Sequence, residues 1–171
     1  MAEELIDIYD EKRHKTGRVV ARNGLHLAEG EFMLYALAVI EDRGGRLLIT
    51  QRSLNKKWAA GAWEVPGGGV RAGETTSEAV VREVFEETGL DVSDMVRTPI
   101  YSYENVALDK GDNYFVDIYH FLFDFTLEQV HVKPDEVIGC ALATWDDISA
   151  LDAQGKFLHY GRIQQALGYR R

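Results

Sequence analysis

The sequence predicts an α/β domain, and three observations carry that prediction. Several segments alternate apolar and polar residues, or run as short stretches rich in Val, Ile, Tyr and Phe, which is strand chemistry. Residues 75–89 combine helix caps with helically spaced apolar residues. A chain of 171 residues with 46% hydrophobic and 27% charged content suits one globular unit with a substantial core.

Taken in order, Leu5-Ile6-Asp7-Ile8-Tyr9 alternates and reads as a strand. Residues 10–15 form a charged turn, and residues 18–22 read as the second strand of a hairpin. Asn23-Gly24 is a further turn signal. Residues 32–40 are the longest apolar run, suited to a buried strand and too short to span a membrane. Gly44-Gly45 turns the chain into residues 46–51, so these two segments read as a second hairpin. After the polar loop at 55–57 comes Trp63-Glu64-Val65-Pro66, then three glycines, Gly67 to Gly69. Residues 97–106 and 114–125 read as long strands, with Asp117 and Tyr119 on one face of the second. Residues 132–136 are a polar loop, and 137–145 are another strand. Asp146 is the expected cap of a short helix, and residues 161–167 carry Ile163, Ala166 and Leu167 at helical spacing.

The helix at 75–89 is the best marked element. Thr75 is the expected N-cap, and Glu78 stands where a capping box wants a carboxylate. Gly89 is the expected left-handed stop. Val80, Val81, Val84 and Phe85 form an apolar stripe. Glu83, Glu86 and Glu87 lie on a neighbouring face at spacings of three and four, where like charges repel. An acidic solvated face is one reading. Neutralisation by a hard divalent cation, which takes carboxylate oxygens, is the other.

The full spacing is Gly68, five residues, Glu74, seven residues, Arg82-Glu83-Val84, one residue, Glu86-Glu87, one residue, Gly89-Leu90. At all of these positions the chain resembles the Nudix hydrolases. The resemblance covers roughly residues 33–167. It implies the Nudix fold, an α/β/α arrangement with a mixed sheet sandwiched between helices. On that basis residues 1–171 are read as a single Nudix domain, with 1–30 as an N-terminal strand extension and 31–168 as the core. It also implies hydrolysis of a diphosphate bond in a nucleoside diphosphate linked to another moiety, or in a related small organic diphosphate.

Under this resemblance Glu83, Glu86 and Glu87, with a backbone carbonyl at Gly67 or Gly68, would hold Mg²⁺ or Mn²⁺. Glu74 and Arg82 would pair and pin the loop to the helix, and Gly68 and Gly89 would be structural. The general base is Glu83 or a carboxylate from a late loop, here Glu136, with Asp117 as runner-up. Arg52 is read either as a fork donor to a substrate phosphate or as a surface ion pair. Trp58 is read either as a flat contact for a phosphorylated substrate or as packing on a sheet edge.

The early Ile-Asp-Ile-Tyr-Asp strand and Thr-Gly-Arg are similar to the isopentenyl-diphosphate-isomerase-like branch. Isomerase chemistry there needs a cysteine before the box, and that segment has none. Cys140 is the only cysteine in the chain, so no intrachain disulfide forms and a reducing cytoplasm is expected. A nucleotide sensor would usually carry a degraded box and an appended DNA-binding domain. A net charge of −9 opposes binding to nucleic acid polymers or anionic membrane. A small-molecule diphosphate is the expected partner, and the N-terminal strands could contribute to a homodimer.

Overall fold

The computed structural model describes residues 2–168. Strands β1 (Leu5–Tyr9) and β2 (Lys15–Ala21) pair antiparallel as a two-stranded sheet. The remaining strands are β3 (Met33–Glu41), β4 (Leu47–Arg52), β5 (Trp63–Glu64), β6 (Gly67–Gly69), β7 (Tyr101–Asn105), β8 (Tyr114–Leu122) and β9 (Val137–Ala143). Together they form one mixed sheet. β3 and β8 run parallel, from Met33↔Tyr114 to Glu41↔Leu122, while the other pairs are antiparallel. Helices α1 (Thr76–Thr88), α2 (Trp145–Ala153) and α3 (Tyr160–Leu167) cover it.

The expected hairpin of β3 and β4 holds only at its base, Glu41↔Leu47. Beyond that point the strands diverge. β6 fills the gap along β3, at Tyr35↔Gly69 to Leu37↔Gly67, and β5 fills it along β4. Sequence patterning did not mark either short strand, because a glycine run has no side-chain periodicity to read. This divergence puts the glycines in the sheet, directly under α1.

The alternation of β3 explains the layers, because successive side chains point to opposite faces. Leu34, Ala36, Ala38 and Ile40 pack with Ala79, Val80 and Val84 of α1. Leu37 and Val39 pack with Ile148 of α2 and Ile163 of α3. The sheet therefore lies between helices, as the resemblance implied. A third cluster joins Ile6 and Ile8 of β1 to Leu27 and Met33, so the hairpin's apolar face is covered by this chain's own core.

Thr75 caps α1, accepting from the Glu78 N–H, while Glu78 accepts from the Thr75 N–H at 2.8 Å. Gly89 ends the helix at φ 74°. The apolar stripe is rotated from the expected one. Phe85 is exposed, whereas Ala79 and Thr88 are buried, because the face toward β3 needs small residues for close approach. The cap of α2 is Thr144 rather than Asp146. β9 stops at Ala143, one residue short of Thr144, whose hydroxyl then accepts from the Asp147 N–H at 3.2 Å. β7 starts at Tyr101, later than expected, and β8 ends at Leu122, where its partner β3 also ends. No helix among the described residues is long and apolar enough to cross a membrane.

Candidate active site

The last two turns of α1 lie over β6, and glycine makes that approach possible. A Cβ on Gly68 would meet the Glu83 carboxyl carbon at 2.6 Å, and one on Gly67 would meet the Ala36 carbonyl oxygen at 2.3 Å. Without those methyls, Glu83 settles over Gly68, and the Gly67 N–H donates to Glu87 Oε2 at 3.2 Å.

Arg82 holds the loop before α1 against the helix. Its Nε and Nη2 donate to the two Glu74 oxygens at 2.6 and 2.9 Å, a fork-on-carboxylate pair. Nη2 also donates to the Gly69 carbonyl at 3.0 Å. Nη1 donates to Glu83 at 2.6 Å and to Glu86 at 3.4 Å. The pairing of Glu74 with Arg82 thus orients two of the three helix carboxylates. These ion pairs keep the guanidinium charged over any accessible pH, against the cost of its partial burial.

The three glutamates open on a cavity of about 530 Å³. Glu64 of β5 and Glu136 line it too, together with Arg22, Arg52, Lys56, Arg71 and Lys133. Anionic and cationic groups face the same space. Burial pushes the Glu87 carboxyl well up, and the charges of Glu83 and Glu64 push it further. Burial also raises Glu83, opposed by Arg82, and raises Glu64, opposed by Arg52. Glu87 thus has a backbone N–H for a partner but, among the described residues, no cation paired with it.

Arg52 forms an ion pair, as one of its two readings had it, but a part-buried one. Nη1 donates to Glu64 at 3.0 Å, Nε and Nη2 donate to the Trp58 carbonyl, and the group still lines the cavity. Its guanidinium lies 5.3 Å from the centre of the Trp58 ring. Trp58 is 60% exposed, so it does not pack on a sheet edge. It stands at the cavity rim, 6.5 Å from His159. Glu136 forms an ion pair with Lys56 at the same cavity.

Asp117, the runner-up base, lies elsewhere. It is buried toward the start of α1, accepting from Arg13 at 2.8 and 2.9 Å, Thr76 at 2.6 Å and Ser102 at 2.7 Å. A carboxylate with four donors and no opening to the cavity has no reach to a substrate. Sequence reasoning missed Glu64, Arg22 and His159. Glu64 had one signal, an acid three residues before the glycine run. The others reach the cavity only through long-range packing.

The donor set fits a hard divalent cation in kind, with carboxylate oxygens beside the half-buried backbone of Gly67 and Gly68. It is not assembled as a closed cage. Among the described residues no three Asp, Glu, His or Cys groups converge at ligand spacing, because Arg82 draws Glu83 and Glu86 toward itself.

Comparison with known proteins agrees with this geometry. The chain is 29% identical over 160 residues to an uncharacterised Nudix hydrolase of Listeria monocytogenes, covering 93% of this chain and 90% of that one. A 53-residue stretch is 49% identical to a putative 8-oxo-dGTP diphosphatase 2 of Mycobacterium tuberculosis, covering 31% and 37%. An isopentenyl-diphosphate Delta-isomerase of Salmonella heidelberg is 32% identical over 102 residues, 59% of this chain and 55% of that one. A solved structure from Deinococcus radiodurans superposes with TM-score 0.77 at 24% identity, over 98% of this chain and all of that one. A MutT protein from Methanosarcina mazei gives TM-score 0.64 at 24% identity, over 82% and 92%. A family model for the NUDIX domain matches residues 31–163. With that match spanning the mixed sheet and α1, the chain belongs to the Nudix hydrolase family.

Proposed function

We propose that this chain is a divalent-metal-dependent pyrophosphohydrolase of a small organic diphosphate. The observation that carries this reading is the pairing of opposites in one cavity. Glu83, Glu86 and Glu87 lie beside the glycine backbone, and Arg52, Lys56 and Lys133 stand around the same space. Carboxylates alone would repel a diphosphate, and cations alone would bind it without reaction.

In this reading Glu83, Glu86, Glu87 and the Gly67 carbonyl hold Mg²⁺ or Mn²⁺. When bound, such an ion neutralises phosphoryl oxygens and lowers the pKa of a coordinated water. The chain's own residues do the rest. Arg52 and Lys56 bind and orient the phosphates, which is most of what phosphoryl chemistry asks of a protein. Arg82 and Glu74 fix the helix carboxylates. Trp58 offers a flat face to the organic group. Glu136 takes the proton of the attacking water. It is half exposed at the cavity, and its partner Lys56 is a flexible side chain that a substrate phosphate can draw away. Glu83, by contrast, is tied to Arg82.

Phosphorus NMR on a panel of diphosphates, with Mg²⁺ and with chelator, tests the reading. Cleavage of one substrate class that needs the metal and disappears in Glu86→Gln is expected. No cleavage of any diphosphate, with tight binding of one, would replace hydrolysis by isomerisation or sensing. Glu136→Gln should flatten the pH dependence of the rate without weakening Mg²⁺ binding, and Glu83→Gln should weaken Mg²⁺ binding.

A further inference from the structure

The NUDIX domain match begins at residue 31, yet the wall of the cavity begins earlier in the chain. Glu4 and Arg22, which flank the N-terminal hairpin, both line it. The Arg22 N–H donates to the Glu4 carbonyl at 2.9 Å, which ties the end of β2 to the start of β1. That bond sets where the Arg22 side chain leaves the backbone. The guanidinium then lies 5.4 Å from the centre of the Tyr35 ring and packs on the glycine strand. A Cβ on Gly69 would meet its Nη1 at 2.9 Å. Arg22 therefore stands one residue along β6 from Gly68, the glycine that seats Glu83.

The hairpin carries a second half-buried arginine for comparison. Arg13 grips both oxygens of the buried Asp117 at 2.8 and 2.9 Å. That is a full fork-on-carboxylate pair. Arg22 is held differently. Nη1 donates to Glu4 at 3.1 Å, and Nη2 donates to the neutral Tyr35 hydroxyl at 3.3 Å. Both are long beside the roughly 2.7–2.9 Å of a charge-assisted bond. A guanidinium has five donors in a planar fork matched to phosphate. Here that fork is splayed over two weak partners, and it faces the cavity.

Rings run along the cavity from that point. Tyr35 contacts Tyr114 edge-on at 5.1 Å, and the Tyr103 hydroxyl lies 3.4 Å from His159 Nδ1, with Trp58 beyond. An organic group has flat neighbours toward Trp58 and His159. The phosphate chain then extends across the glutamates toward Arg22.

We propose that Arg22 is a substrate-binding residue, and that the N-terminal hairpin completes the site by bringing its guanidinium onto the phosphate chain. The proposal rests on the pyrophosphohydrolase reading of the same cavity. Glu4 is the resident counter-charge that a phosphoryl group displaces. Because the hairpin lies outside the matched domain, this contact belongs to this chain's extension and not to the shared core.

Binding of inorganic pyrophosphate with Mg²⁺, measured by calorimetry on the full chain, tests it directly. Arg22→Ala should weaken that binding about tenfold or more, the loss of one charged bond or two. Arg22→Lys should recover part of it, and Glu4→Gln should tighten it by removing the competing carboxylate. On a turned-over diphosphate, Arg22→Ala should raise KM while kcat changes little. Thermal melts of each variant show whether the fold is kept. Wild-type pyrophosphate affinity in a folded Arg22→Ala protein would overturn the proposal. So would weaker binding in Glu4→Gln, which would mean that the Glu4 pair serves only to hold the hairpin. Pyrophosphate affinity is read without turnover, so this result stands apart from the fate of the hydrolase reading, which Glu86→Gln decides.

Discussion

Two acidic sites lie at the two ends of α1, and they are built in opposite ways. Near its start, Asp117 receives donors from Arg13, Thr76 and Ser102, taken from the hairpin, the helix and β7. Burial opposes its charge, but Arg13 and the two hydroxyls outweigh burial and hold the carboxyl below the usual aspartate range. Near its end, Glu83 and Glu87 are half-buried with other carboxylates, and both are raised. One end of the helix thus meets a charge of β8 that the fold satisfies, and the other carries Glu87, which no cation among the described residues pairs. Satisfied charge holds a structure together, and unsatisfied charge in a cavity marks a place for a ligand.

The comparison can be broken at either end. The largest expected effect is at the unsatisfied end. Glu86→Gln should lower the rate of diphosphate cleavage about a hundredfold or more, the loss of several kcal/mol of charge stabilisation. Its melting temperature should stay at or above that of the wild type. A fast, metal-dependent variant would contradict the assignment of the acidic face.

Asp117→Ala should do the reverse. Breaking a buried pair by removing one partner costs about 3–5 kcal/mol, and Arg13 can turn to water, so a loss of about 2–3 kcal/mol in denaturant unfolding is expected. Activity per folded molecule should be kept. The pH sign follows from the direction of the shift. A carboxyl lowered in the fold contributes stability that is complete above its unfolded pKa, near 3.8, and is lost as pH falls through the lower folded value. The stability gap between wild type and Asp117→Ala should therefore close on acidification below about pH 4. A gap that stays constant would show that the lost packing, and not the charge, was responsible.

Gly68→Ala places a methyl against the Glu83 carboxyl. A side chain can move aside at modest cost, so about 1–3 kcal/mol of overpacking is expected, with a larger proportional loss in rate than in stability. Thr75→Ala, which removes only the cap, should cost about 1 kcal/mol and leave the rate unchanged.

The parts legible in the sequence were those decided locally. The cap Thr75, the box partner Glu78 and the stop at Gly89 act within a few residues, and α1 begins and ends where they place it. β1 follows from its own alternation. Glu83, Glu86 and Glu87 share a face because helical spacing requires it, and the cavity that they open on also receives Arg52, Trp58 and Glu136. What could not be read depended on distant packing. Phe85 has the right spacing for the core but faces solvent, because the glycine strand leaves room only for small residues beneath α1. Thr144 displaced Asp146 as a cap because β9 ended earlier than its composition suggested. Asp117 sits on a face that periodicity fixed correctly, but the hairpin that seals that face with Arg13 is a hundred residues away in the chain. Arg22 and His159 carry no local signal at all.

The most direct test of the central claim, that the end of α1 holds unsatisfied charge awaiting a cation, is thermal unfolding of wild type and Glu87→Gln with rising Mg²⁺. Removing a raised, half-buried carboxylate should make the metal-free variant more stable than the metal-free wild type. Mg²⁺ binding to the folded state alone should raise the wild-type melting temperature with concentration. That rise should shrink or vanish in Glu87→Gln, bringing the two curves together or crossing them. A Glu87→Gln protein that is less stable without metal, and responds to Mg²⁺ as the wild type does, would contradict the account.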